Sequence, residues 1–260
     1  GDRCNGGVSN VEIKEGKIII SGSLHIYYNL IQGNGWQNYN DFSFKNAIQA
    51  IETLCQALQI GLKDIKIENL EIGVNVLLKT NVSETLSNLF IDWDTRSKYV
   101  NKVYKNGHLV EYKTVDRYAK FYDKGGQHEL PYHLLRYELK YMRNETIVKK
   151  AKIKTVHDLV QPTKFKLLVK NLKEEITKIN ILDTLISPEG LTAKEAKLFQ
   201  NGINSMFWSN YSNQGIKAQK SKYRRQYTEL IKRFGLDTIK TEIIQNVIEK
   251  ANALNAKNEI

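Results

Sequence analysis

Only two cysteines, Cys4 and Cys55, occur in the 260 residues. They are too few for a zinc cluster of their own, and they argue against a disulfide scaffold. The five histidines (His25, His108, His128, His133, His157) show neither His-x-His nor His-x-x-x-His spacing, so a Cys/His zinc site is not encoded. No stretch comes near the roughly 18 uninterrupted apolar residues that a membrane-crossing helix needs. Neither Gly-x-x-x-x-Gly-Lys-Ser/Thr nor a strand-linked Gly-x-Gly-x-x-Gly is present, which removes the two common phosphate-cradling loops. Internal repeats and low-complexity tracts are missing as well. Acidic residues are in deficit, 28 against 39 Lys and Arg, leaving a formal charge of +11.

That surplus favours a polyanionic partner, nucleic acid ahead of an anionic membrane surface. With 41% hydrophobic and 26% charged residues the composition is that of a globular chain long enough to bury a core without staples. One large domain, or a catalytic domain with a smaller module, fits the length. No leader with a charged and then an apolar region stands at the N-terminus, so the expected compartment is a reducing cytoplasm and the expected protein is soluble.

Periodicity gives the organisation. Val11-Glu12-Ile13, a break at Glu15-Gly16, Lys17 to Ser21 and Leu24 to Tyr27 read as a hairpin. Apolar residues from Phe44 to Leu58 recur at helical spacing. Ile65 to Ile67 and Leu70 to Leu78 read as strands, the second with Glu71, Gly73 and Asn75 on one face and Ile72, Val74 and Val76 on the other. A helix over Ser83 to Phe90 follows. Strands at Lys102 to Tyr104 and Val110 to Lys113 are joined by Asn106-Gly107, and Arg117 to Tyr122 and Leu134 to Met142 are joined across a Gly125-Gly126 turn. After Val156 the pattern turns helical, with one helix at Phe165 to Ile179 and another at Thr192 to Asn204. Thr192 and Glu195 form a capping box at the start of the latter. The expected fold class is therefore α+β: a mainly antiparallel sheet, then a helical C-terminal module. The expected division lies near Ile181 to Pro188, giving a catalytic domain over 1–180 and a DNA-binding module over 181–260.

Three segments set titratable groups on strands beside turns: Asn69 to Asn75, Lys120 to Gly125, and Leu135 to Lys140. Two carboxylates on neighbouring strands with an amide nearby could hold Mg²⁺ or Mn²⁺, since Mg²⁺ needs only one or two carboxylates plus water and substrate phosphate. A tyrosine beside such an ion could attack phosphorus. Its phenol, with an ordinary pKa of about 10, needs help to lose its proton. Lys124, two residues beyond Tyr122, is expected on the same face as a helper. The bland readings are a solvated Glu71, a solvated Glu138, an Arg136 that merely pairs with a carboxylate, and one of 14 tyrosines engaged in packing.

In this order the segments resemble the replication initiation factor family, Rep_trans, whose members start rolling-circle replication of plasmids and single-stranded-DNA phages. The likeness runs from about Ser21 to Leu159. Phe121-Tyr122-Asp123-Lys124-Gly125 is similar to the family's Ile-Tyr-(Asn/Asp)-Lys segment. Leu135-Arg136-Tyr137-Glu138-Leu139-Lys140 is similar to its Arg-x-Glu-x-Glu strand, and Leu70 to Asn75 to its Leu-Asp-x-x-x-Asp strand. The resemblance implies a nicking domain of a degenerate His-hydrophobic-His endonuclease type. It implies Tyr122 as nucleophile with Lys124 beside it, and Glu71 and Glu138 as ligands of a divalent metal in place of the histidine pair. Asn75 stands where the family has a second acid, as a weaker candidate ligand, and Lys140 replaces the last acid of Arg-x-Glu-x-Glu.

Toward the C-terminus, Lys217, Lys220, Lys222, Arg224, Arg225, Lys232 and Arg233 give seven positive charges against Glu229 alone within 217–233. Tyr223, Tyr227, Leu230, Ile231 and Phe234 lie at helical spacing between them, so one face packs and the other tracks phosphates. Lys217, Lys220, Lys222, Arg224 and Arg225, with Arg136, are the expected DNA contacts. Trp208 and Tyr211 could stack on bases, although Met206 to Trp208 reads better as core.

Together these readings give a rolling-circle initiator that nicks and rejoins single-stranded or hairpin origin DNA through a 5′-phosphotyrosine link. A host helicase and a second copy of the chain are further candidate partners, and a membrane is not. A plasmid mobilisation relaxase and a non-catalytic origin or operator-binding protein are the alternatives.

Overall fold

The computed structural model describes residues 10–14, 17–92, 98–183, 188–204, 207–208 and 217–256. The chain packs as two discontinuous compact units. One is built from residues 1–68, 144–169 and 251–260, the other from 69–143 and 170–250. This grouping is one of packing. The expected division at residue 180 concerns catalytic and DNA-binding roles and remains a proposal.

The first unit begins with a hairpin, β1 (Asn10–Lys14) and β2 (Lys17–Ser21), paired so that Val11 faces Ile20 and Ile13 faces Ile18. The third segment expected of this hairpin is instead helix α1 (Leu24–Ile31). Ser23 decides this. Its backbone is extended and its hydroxyl accepts from the Ile26 amide at 3.3 Å, an N-cap that starts a helix. Four residues, Leu24 to Tyr27, are too few for alternation to be told from helical spacing.

Helix α2 (Phe44–Leu58) has the bounds that its periodicity predicts, opened by a reciprocal capping box between Ser43 and Asn46. Ile65 to Ile67 form no strand, only a bridge from Lys66 to Thr155. Helices α5 (Asn144–Ala151) and α6 (Val156–Leu159) belong to the same unit, and Phe44 stacks on Phe165 at 4.1 Å.

The second unit is organised on a five-stranded antiparallel sheet, β3 (Leu70–Leu77), β5 (Lys98–Tyr104), β6 (Gly107–Lys113), β7 (Arg117–Asp123) and β8 (Leu134–Tyr141), in the spatial order β3-β8-β7-β6-β5. Alternation along these strands sorts the side chains. Val74, Val76, Val110, Tyr112, Ala119, Phe121, Leu135, Tyr137, Leu139 and Tyr141 are buried on one face. Leu172 and Ile176 of helix α7 (Pro162–Thr177) are buried as well, and the Tyr137 hydroxyl donates to the Leu172 carbonyl at 3.5 Å. An ion pair also lies on this side: Arg117 meets Glu175 at 3.1 Å.

The helix expected over Ser83 to Phe90 is shorter, α3 (Val82–Leu86), and β4 (Leu89–Asp92) follows and pairs with β9 (Ile179–Leu182). The Gly125-Gly126 turn is one turn of helix, α4 (Lys124–Gln127), at the start of a longer β7–β8 connection. Asp123 caps it, accepting from the Gly126 amide at 2.7 Å and from the Ser83 hydroxyl at 2.9 Å. Both glycines are needed for close approach: a Cβ on Gly125 would lie 2.6 Å from the Tyr132 carbonyl, and one on Gly126 2.9 Å from that of Asn106.

The C-terminal helices of this unit are α8 (Ala193–Gly202) and α9 (Lys217–Arg233), together with α10 (Thr238–Ala256) as far as residue 250. Thr192 and Glu195 form the expected capping box of α8. Trp208 is core, as its neighbours in sequence suggest: fully buried with Leu182, Tyr227, Ile231 and Leu236, its indole donates to the Gly202 carbonyl at 2.9 Å. It is closed to base stacking. Met206 and Tyr211 lie outside the described residues. Among the described residues no helix is long and apolar enough to cross a membrane.

Candidate active site

The face of the sheet opposite the core carries the titratable candidates. Strand β8 is central to it because it pairs with both β3 and β7. The register sets Gly73, Glu138 and Lys120 in one row across the three strands and Asn75, Arg136 and Tyr122 in the next. Residues that are distant in sequence thus share one face.

Glu138 is the hub. Its Oε1 accepts from the Tyr122 hydroxyl at 2.9 Å and from Arg136 Nε at 2.5 Å, and its Oε2 lies 3.5 Å from Lys120 Nζ. Lys120 also reaches Glu71 Oε2 at 3.2 Å, so one ammonium joins the two carboxylates. Arg136 Nη1 donates to Asn75 Oδ1 at 3.1 Å. Lys124 is buried at the start of α4, donates to Gln127 Oε1 at 3.0 Å, and holds its Nζ 5.6 Å from the centre of the Tyr122 ring. Lys124 reaches Tyr122 from a helical turn rather than by strand alternation.

Burial gives these contacts their effect. Glu138 is 4% exposed, which by itself would favour the neutral acid, but Arg136 and Lys120 outweigh burial and hold its pKa below the ordinary carboxylate value. Burial also works against the Lys120 ammonium, and Glu138 and Glu71 overcome it, so its pKa stands above the ordinary lysine value. Tyr122 is pushed well above the ordinary phenol, first by burial and then by the Glu138 charge. Lys124 is lowered to about 8, by burial and then by repulsion from Arg136.

The expected candidates Tyr122, Lys124, Glu71, Asn75, Arg136 and Glu138 all lie in this neighbourhood, while Tyr137 and Tyr141 are buried on the other face. Arg136, expected as a DNA contact, turns its guanidinium to Glu138 and Asn75. Two participants carry no motif of their own in the sequence. Lys120 lies two residues before Tyr122, a spacing that already puts it on the Tyr122 face. Gly73 is opposite Glu138, and a Cβ there would lie 2.7 Å from Glu138 Cγ. Its missing side chain is the space that Glu138 fills.

A divalent ion does not fit these residues as they are arranged. The donor chemistry is suitable, two carboxylates and an amide oxygen. Yet both Glu138 oxygens and Asn75 Oδ1 are engaged by Arg136, Tyr122 and Lys120, and Lys120 Nζ sits where an ion shared by Glu71 and Glu138 would sit. Among the described residues no three or more His, Cys, Asp and Glu side chains cluster as metal ligands.

The expected DNA-binding helix is formed as α9. Tyr227, Leu230 and Ile231 are buried, Lys222 and Arg225 are exposed, and Lys220 and Arg224 are half-buried. Arg224 helps to lower Lys240, so part of its charge is directed along the helical module. Lys217 is the first residue of the helix, and its side chain lies outside the described residues. Arg233 bonds Glu195 at 2.5 Å and ties α9 to α8.

No family model and no curated protein matches this sequence. Among solved structures, a rolling circle replication initiator protein from Geobacillus stearothermophilus overlaps 56% of this chain and 54% of its own, with 14% identity and a TM-score of 0.31. This chain thus spans about half the length of that protein.

Proposed function

We propose that this chain is a rolling-circle replication initiator that nicks and rejoins single-stranded or hairpin origin DNA through Tyr122. One observation carries the reading: the Tyr122 hydroxyl donates to Glu138 at 2.9 Å, a nucleophile and a base within reach of each other on a face lined with cations.

A free Tyr122 phenolate is costly in this setting, so proton loss accompanies attack. Glu138 takes the phenolic proton as Oη bonds to phosphorus, and the bond from phosphorus to the 3′ oxygen breaks. The products are a 5′-phosphotyrosyl link and a 3′ oxygen that takes a proton from solvent and becomes a hydroxyl. Lys124 balances the negative charge that develops on the phosphoryl oxygens. Arg136 fixes the Glu138 carboxylate. The link conserves the bond for rejoining, and the free hydroxyl primes synthesis. Exposed Lys222 and Arg225 of α9 position the strand without reading it.

One observation favours the non-catalytic DNA-binding alternative: Glu138 is so fully partnered that the cluster could simply stiffen the sheet. Mixing the protein with a randomised single-stranded oligonucleotide pool, labelled at either end, decides between them. The nicking reading requires a denaturation-resistant adduct that keeps the 3′ label and loses the 5′ label, centred on a Tyr122 peptide. No adduct with either pool or hairpin oligonucleotides, or an adduct on Tyr137 or Tyr141, overturns it.

A further inference from the structure

We infer that Lys120 is a tethered counter-ion for Glu71 and Glu138, filling the position of a divalent cation and setting how readily this site takes one. Its importance for DNA chemistry rests on the proposed nicking function, but its consequence for metal binding does not.

Strand pairing sets the geometry. Lys120 is opposite Glu138 across the β7–β8 pair, and Gly73 is opposite Glu138 on the other side, with Glu71 two residues before Gly73. The absent side chain at Gly73 lets Glu138 lean over β3, toward the strand that carries Glu71. Lys120 extends from the other side of Glu138, and its Nζ reaches Glu138 Oε2 at 3.5 Å and Glu71 Oε2 at 3.2 Å. Its side chain is 22% exposed, Glu71 is 34% and Glu138 is 6%. The ammonium is therefore only partly screened by water. Arg136 supplies a second fixed cation to Glu138 at 2.5 Å. Two carboxylates are matched by two permanent positive charges, so an arriving divalent ion gains little attraction until Lys120 withdraws. Lys120 can withdraw. Its long stem and its partly exposed position let the amine swing toward solvent or toward a bound phosphodiester, at which point the carboxylates are released.

Lys120 thereby does two things. It neutralises Glu71 and Glu138 so that a phosphodiester can approach without repulsion, and it makes metal entry a competition with a side chain.

The test is a Mn²⁺ titration without DNA, followed by calorimetry and by the signal of free Mn²⁺ in electron paramagnetic resonance, on the wild type, Lys120→Met, Lys120→Gln and Lys120→Arg. Thermal melts identify any variant that fails to fold. Met and Gln should each tighten Mn²⁺ at least about tenfold, Arg should leave it weak, and adding Glu71→Gln to Lys120→Gln should abolish the gain. Equal affinity in the wild type and in whichever of the two neutral variants folds overturns the inference, whether both bind or neither does. So does a gain that survives Glu71→Gln. A parallel adduct assay in excess EDTA and with added Mg²⁺ or Mn²⁺ keeps the two ideas apart, because absence of adduct in every arm removes the nicking function and leaves the titration result standing.

Discussion

Tyr122 and Glu138 are bonded on a diagonal. The β7–β8 register opposes Tyr122 to Arg136 and Lys120 to Glu138, yet the Tyr122 hydroxyl reaches Glu138 Oε1 at 2.9 Å. Arg136, directly across from Tyr122, bends to the same oxygen. One carboxylate oxygen therefore holds both a candidate nucleophile and the cation that steadies it, and their effects can be separated by substitution.

Tyr122→Phe removes a hydroxyl and leaves the ring. It should cost about 1 kcal/mol of stability, since Glu138 keeps two cationic partners. It should fold and form no adduct. Glu138→Gln strands Arg136 and Lys120 without their shared charge and should cost about 3 kcal/mol. Urea denaturation midpoints of the two variants check the order, and a Gln variant as stable as the Phe variant would show that the ion cluster contributes little.

Gly73→Ala is a small change with a large expected effect. The new Cβ would lie 2.7 Å from Glu138 Cγ and 2.8 Å from the Tyr137 carbonyl, and the carbonyl cannot move without the strand. About 1–3 kcal/mol of overpacking cost follows, together with a shift of Glu138 off Tyr122. Loss of adduct exceeding the loss of folded protein would reveal the displacement, whereas an unaltered melt would mean that β3 and β8 separate easily.

Lys124 makes stability depend on alkaline pH. Its pKa is about 8 in the folded chain against an ordinary 10.5, so between these values the unfolded chain holds more protons. Stability contributed by this group therefore rises with pH from about 8 to 10.5, and below that window the buried ammonium is a cost. The difference between wild type and Lys124→Met, read from urea midpoints across pH 7 to 11, should change through this window. Lys240, also near 8, cancels in the difference. Adduct formation should run the opposite way and fall above about pH 8, as the ammonium proposed to balance phosphoryl charge is lost. A pH-independent difference in stability would place Lys124 in solvent.

Lys222 and Arg225 are exposed on α9, whereas Arg224 is half-buried. Reversing the first two charges should weaken single-stranded DNA binding and reduce the slope of log affinity against log salt by about 0.7 for each phosphate no longer neutralised. Fluorescence anisotropy over a salt series measures this. An unchanged slope would move the DNA surface off α9.

Local periodicity made a good part of this protein legible. Alternation assigned Glu71, Gly73 and Asn75 to one face of β3, and Tyr137 to the face opposite Glu138 on β8. Helical spacing bounded α2 at Phe44 and Leu58, and Thr192 with Glu195 marked the start of α8. These are properties of a few neighbouring residues, and a chain carries them before it folds. Leu24 to Tyr27, expected as part of a hairpin, opens helix α1 because four residues satisfy either period and the Ser23 cap outweighs the pattern. What only the tertiary structure decided is which strands pair and in what register. β8 lies between β3 and β7, which brings Lys120 to both Glu71 and Glu138 and sets Gly73 where the Glu138 side chain needs room. Lys120 and Glu71 are 49 residues apart, and the register that joins them is chosen by the packing of the opposite, apolar face, which no local spacing records.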